Sequence, residues 1–69
     1  MTLAEIGEII RIRRKQLNFT QQDIEELTGI TKKTIRMLEK GETNISLSGL
    51  LKIIKALGFD LKIVNKINS

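Results

Sequence analysis

The sequence predicts an all-α fold: a compact four-helix domain with a short C-terminal β-strand that pairs across a homodimer. Three observations predict it. Four stretches carry apolar residues at helical spacing, each opened by Thr or Ser and closed by Asn or Gly. After Gly58 the period changes to alternation, Phe59-Asp60-Leu61-Lys62-Ile63. The chain of 69 residues, 41% apolar and dominated by Ile and Leu, makes a single domain, 1–69, near the lower size limit for a self-sufficient core. A second subunit is expected to share the work of burial.

The first helix is expected over about 3–17. Thr2-Leu3-Ala4-Glu5 has the capping-box spacing, the hydroxyl serving the third backbone N–H and the carboxylate reaching back. Ile6, Ile10 and Leu17 follow at helical spacing, and the helix ends basic, as its dipole prefers. Gly7 is tolerated in its interior at about 1 kcal/mol, and Asn18 suits a left-handed terminating turn. Thr20 caps the second helix, about 21–28, with Asp23 at the capping-box position. Ile24 and Leu27 are its expected buried pair, and Gly29 ends it with positive φ.

Thr31 caps a third helix, about 32–40, stopped by Gly41. Its inward face is Ile35 and Leu38. Lys32, Lys33, Arg36, Met37 and Lys40 form one continuous outward stripe. The loop Glu42-Thr43-Asn44-Ile45 leads to Ser46, cap of the fourth helix, about 47–57, whose inward stripe is Leu47, Leu50, Ile54 and Leu57. The strand, about 59–64, has no partner within the chain. Its open backbone groups and the side chains of Phe59, Leu61, Ile63 and Val64 invite a second copy.

Composition removes most chemistry. Without Cys or His there is no disulfide framework, no Ser-His-Asp triad and no ordinary transition-metal site, so no catalytic residue, metal or cofactor is expected. Glu25 and Glu26, adjacent on a helix, point in different directions and read as a solvated face, not a catalytic pair. The longest apolar run is two residues, so neither a membrane span nor a signal peptide is expected. Two Phe are the only aromatic residues, which leaves few stacking platforms for single-stranded nucleic acid. An enzyme with a small-molecule substrate is not expected.

Charge supplies the positive clue. The net charge is +4 and the pI about 9.8, which suits a polyanion. Arg11-Ile12-Arg13-Arg14-Lys15 and the stretch 32–40 are basic, and an acidic segment containing Asp23, Glu25 and Glu26 separates them. The helix dipole offers a blander reason for the first cluster. Two short helices joined by a Gly-containing turn, the second carrying a basic outer stripe, describe a helix-turn-helix suited to duplex DNA. Lys and Arg neutralise phosphates or bond guanine edges, and helix N-termini at Gln21 and Lys32 offer N–H groups to phosphate oxygens.

The stretch Leu17-Asn18-Phe19-Thr20-Gln21-Gln22-Asp23-Ile24, with Gly29-Ile30-Thr31, Thr34-Ile35 and Leu38-Glu39-Lys40-Gly41, resembles the phage-repressor (Cro/XRE) helix-turn-helix family, whose fold is lambda-repressor-like. The run from Leu47 to Gly58 resembles that family's last helix, so the resemblance covers about residues 6–64. Arg11, Arg13-Arg14 and the segment Phe59–Val64 look like one branch, the HipB-type antitoxins. That branch implies a dimeric autorepressor of a toxin–antitoxin operon, with C-terminal strands paired across the dimer. It also implies a near-palindromic double-stranded operator, a HipA-like kinase toxin as partner, and a place in the bacterial cytoplasm on the nucleoid.

Carried over by position, Lys32, Lys33 and Met37 resemble the base-contacting residues, with Arg36 beside them. Thr20, Gln21, Thr31, Thr34, Lys40 and Asn44 resemble phosphate contacts. Arg14 and Glu39 match a partly buried ion pair that leaves Arg14 able to face a phosphate. Glu25 stands where the family has Ala, Asn18 where Gly is frequent and Lys40 where Arg is common. Asn65–Ser69 leave little room for a separate toxin-binding segment. The alternatives are a protein-binding module that neutralises a partner toxin with little specific DNA binding, and a phage or restriction-system repressor. A membrane-surface role is disfavoured, because Ile6, Ile10 and Leu17 are needed for the core.

Overall fold

A computed structural model describes residues 1–66; residues 67–69 of the expected domain lie outside the described residues. Four helices follow in chain order: α1 Leu3–Gln16, α2 Gln21–Thr28, α3 Lys32–Glu39 and α4 Leu47–Ala56. Each begins at the expected hydroxyl. Thr2 and Thr20 form complete capping boxes with Glu5 and Asp23, while the Thr31 and Ser46 side chains accept from the N–H groups of Thr34 and Gly49.

The C-terminal ends share a device as well. After α1, α3 and α4 the chain turns through a residue of positive φ: Asn18 at 58°, Gly41 at 72° and Gly58 at 76°. At each, two successive N–H groups fold back onto the last turn, as where Asn18 donates to the carbonyl of Lys15 and Phe19 to that of Arg14. These three helices stop one residue short of the expected ends, because Leu17, Lys40 and Leu57 serve as their caps.

Ile10, Ile24, Ile35, Leu38, Ile53 and Leu57 form the buried centre, drawn from all four helices. Leu3, Ile6, Leu17, Phe19, Ile30, Ile45, Leu50 and Phe59 pack around it. α1 crosses close over the end of α3, and Gly7 is the reason it can. A Cβ there would collide with the carbonyl oxygen of Leu38, and one on Gly41 would stand 2.7 Å from the Cα of Ala4. The interior glycine that looked merely tolerable is a contact point between two backbones.

Three expectations need correction. Leu27 is 60% exposed, so α2 buries Ile24 without it. Thr28 is half-buried instead, and its hydroxyl donates to the carbonyl of Ile24 at 2.7 Å and accepts from the N–H of Ile30 at 3.1 Å. Leu47 is 63% exposed, whereas Ile53 is fully buried. Ile45, just before the Ser46 cap, packs against the core in place of Leu47, and the apolar band of α4 runs through Leu50, Ile53, Ile54 and Leu57. No strand is present among the described residues: 59–64 carry no β-bridge. Every earlier element of this chain is helical, so a lone extended segment has no ladder to join. Phe59 packs against the core, while Leu61, Ile63 and Val64 are 50%, 98% and 73% exposed.

Candidate nucleic-acid interface

A buried ion pair organises the face that carries the basic stripe. Arg14 on the last turn of α1 and Glu39 at the end of α3 have side chains only 10% and 4% exposed. Arg14 Nε donates to Glu39 Oε2 at 2.6 Å and Nη2 to Oε1 at 3.0 Å, a two-pronged fork. Nη1 donates to the carbonyl of Phe19 at 2.8 Å, and Gln21 Nε2 adds a further bond to Glu39 Oε1 at 3.2 Å. A carboxylate at a helix C-terminus faces the negative end of the dipole. Here three N–H donors and a full positive charge offset that cost. One carboxylate thereby fixes the relative positions of α1, α2 and α3. Among the described residues no buried side-chain N or O atom lacks a partner.

Beside the pair lies an open recess lined by Arg14, Phe19, Thr20, Gln21, Gln22 and Lys32. It sits at the N-terminus of α2, where helix geometry gives the N–H groups of Gln21 and Gln22 no intrahelical acceptor. The Thr20 hydroxyl is occupied as a cap, accepting from Asp23 N–H at 3.0 Å. Guanidinium, ammonium and backbone N–H groups converge here, an arrangement that suits an anionic oxygen.

Lys32, Lys33 and Arg36 of α3 and its cap Lys40 are exposed, and Thr34 and Met37 are half-buried. The Thr31 hydroxyl donates to that of Thr34 at 3.0 Å and accepts from its N–H at 3.2 Å. Among the described residues ion pairs join Arg11 to Glu8 at 3.2 Å and Arg14 to Glu39, so the four α3 cations are not neutralised internally. Asn44 is exposed in the loop before α4, and Glu25 is half-buried. Of the expected site residues, the structure brings Arg14, Thr20, Gln21 and Lys32 to one recess and joins Thr31 to Thr34.

The other basic cluster is largely used within the fold. Arg11 pairs with Glu8, and Arg14 is buried. Arg13 Nε donates to the carbonyl of Leu57 at 2.9 Å, with its guanidinium 5.4 Å from the centroid of the Phe59 ring. Lys15 is the cation of this run left in solvent. Sequence reasoning missed the Arg13 contacts and the Gln21–Glu39 bond.

A family model described as helix-turn-helix matches residues 10–64, most of the chain. The chain belongs to the helix-turn-helix family. Its motif is α2, the turn Gly29-Ile30-Thr31, and α3. Helix-turn-helix relatives include an uncharacterized HTH-type transcriptional regulator of Haemophilus influenzae, 41% identical over 64 residues, 93% of this chain. The chain spans 64% of that protein's length, just under two thirds. A similarly described regulator of Methanothermobacter thermautotrophicus is 44% identical over 50 residues, 72% of each chain. Among solved structures, the restriction-modification controller protein C.AhdI from Aeromonas hydrophila superposes with a TM-score of 0.79 at 28% identity, covering 84% of this chain and 88% of that one. These relatives are thus described as transcriptional regulators, and the solved neighbour as a controller protein. Among the described residues no helix is long and apolar enough to cross a membrane.

Proposed function

We propose that this chain is a dimeric, sequence-specific repressor that binds a near-palindromic double-stranded operator, its own promoter among the targets. The observation that carries this reading is the set of exposed, unneutralised cations on α3, held at a fixed angle to the donor-lined recess by the Arg14–Glu39–Gln21 cluster. Lys32, Lys33, Met37 and Arg36 read bases from the major groove. Thr20, Gln21, Thr31, Thr34, Lys40 and Asn44 hold phosphates, and Arg14 meets a phosphate oxygen at the recess while remaining bound to Glu39. Two recognition helices related by a twofold axis then fall about 34–36 Å apart. The place of action is the bacterial cytoplasm, on the nucleoid.

Two kinds of operon fit. The HipB-type reading rests on Arg11, Arg13-Arg14 and Phe59–Val64, and it expects a HipA-like kinase toxin to co-purify with the chain. The likeness to C.AhdI favours a second reading, control of a restriction-modification operon. The adjoining gene separates them. The shared claim is tested by replacing Lys32 and Lys33 with Ala together: preference for the operator over a scrambled duplex disappears while the helical content is kept. Unchanged preference in that double variant overturns the assignment.

A further inference from the structure

Arg13 and Arg14 are neighbours on the last turn of α1, yet helical geometry sends their side chains off about 100° apart, to different partners. Arg14 grips Glu39 at the end of α3 and the carbonyl of Phe19, just before the Thr20 cap. Arg13 is half-buried against three consecutive residues at the end of α4. Its Nε donates to the carbonyl of Leu57 at 2.9 Å, at the negative end of that helix. Its Nη2 lies against Gly58, 3.4 Å from where a Cβ would stand, and its guanidinium is 5.4 Å from the centre of the Phe59 ring. Lysine could not make the same set of contacts, because only a planar fork offers an edge donor and a stacking face together.

We propose that Arg13 is a positioning residue for the DNA-facing recess: by anchoring α1 to the end of α4 it fixes the roll of α1, and so the place where Arg14 presents its guanidinium. This rests on the DNA-binding reading above and adds to it a residue that touches no DNA. A helix held by one directional contact can roll about its own axis, whereas one held at two azimuths cannot. Burial of Ile10 is non-directional and sets the depth of α1 in the core, not its roll. The two arginines supply the directional bonds. The roll matters because the recess hangs on the same turn. Phe19 is joined to Arg14 twice, its N–H donating to the Arg14 carbonyl at 3.0 Å and its carbonyl accepting from Arg14 Nη1 at 2.8 Å. Arg14, Phe19, Thr20 and Gln21 all line the recess, and Gln21 shares Glu39 with Arg14. Releasing Arg13 therefore lets the last turn of α1 shift, and the donors of the recess shift with it.

Arg13→Lys, which keeps the charge and removes the fork, tests the proposal on the full chain. NMR hydrogen exchange follows the Arg14 Nε–H, which donates to Glu39 at 2.6 Å, alongside the backbone amides of Ile24 and Ile35 in the core. In Arg13→Lys the Arg14 Nε–H exchanges about tenfold faster, while the core amides change far less, because the opening is local. Affinity for the duplex upstream of its own gene falls about three- to tenfold in the same variant. In a background of Arg14→Met with Glu39→Ala, where there is no guanidinium to position, Arg13→Lys costs no further affinity. Unchanged exchange at Arg14 overturns the proposal. So does an equal loss of affinity in the background without Arg14, since Arg13 would then act on DNA by another route. Core amides that speed up by the same factor as the Arg14 proton also overturn it, because they make Arg13 a general stabiliser. If the unaltered chain prefers no duplex, the DNA-binding reading falls instead, and the exchange at Arg14 still decides whether Arg13 sets its position.

Discussion

At the scale of single residues, Glu39 carries more of the fold than its charge alone suggests. It receives two bonds from Arg14 and one from Gln21 while almost fully buried. Removing one member of such a pair leaves an uncompensated buried charge, which costs roughly 3–5 kcal/mol. Glu39→Ala is therefore expected to lose that much in urea unfolding, a large share of what a domain of this size has. Adding Arg14→Met to it restores much of the loss, because an apolar pair has no charge to strand. The pair was legible only through resemblance: its members lie 25 positions apart, and no local spacing joins them. Arg13 illustrates the limit more sharply. Its acceptor lies 44 positions away, and nothing within the run Arg11–Lys15 distinguishes an arginine facing solvent from one capping a distant helix.

At the scale of elements, the helix boundaries were readable because caps are local chemistry. A hydroxyl with a carboxylate three residues on satisfies orphan N–H groups whatever surrounds it, and Thr2–Glu5 and Thr20–Asp23 do so. Which apolar residues are buried was less readable. Leu27 and Thr28 both lie within a helical repeat of Ile24, and the neighbours decide which one is covered. Leu47 gave way to Ile45 for the same kind of reason. Helix contact also explains Gly7, where two effects oppose. Alanine would favour the helix by about 1 kcal/mol. Its methyl group would press on the backbone of Leu38 and Glu39, and forcing two packed elements apart costs roughly 1–3 kcal/mol. The collision is with backbone, which cannot swing aside, so Gly7→Ala is expected to lower the melting temperature. A rise would mean that α1 slides freely over α3.

At the scale of the whole molecule, the net charge of +4 is unevenly used. Near α1 and α4, Arg11, Arg13 and Arg14 serve the fold, whereas Lys32, Lys33, Arg36 and Lys40 remain available to a polyanion. The strand expected at 59–64 belongs to this scale too, since a ladder needs a partner that a single chain of helices does not contain. The most direct measurement is fluorescence anisotropy of the full chain on the duplex upstream of its own gene, against a scrambled duplex, across a salt series. With several phosphates neutralised in each half-site, affinity for the upstream duplex should fall about 10³–10⁵-fold between roughly 50 and 200 mM salt. It should also exceed affinity for the scrambled duplex by about 10³-fold or more. Equal, weak binding to both duplexes would contradict operator-specific recognition and reduce the basic face of α3 to generic charge.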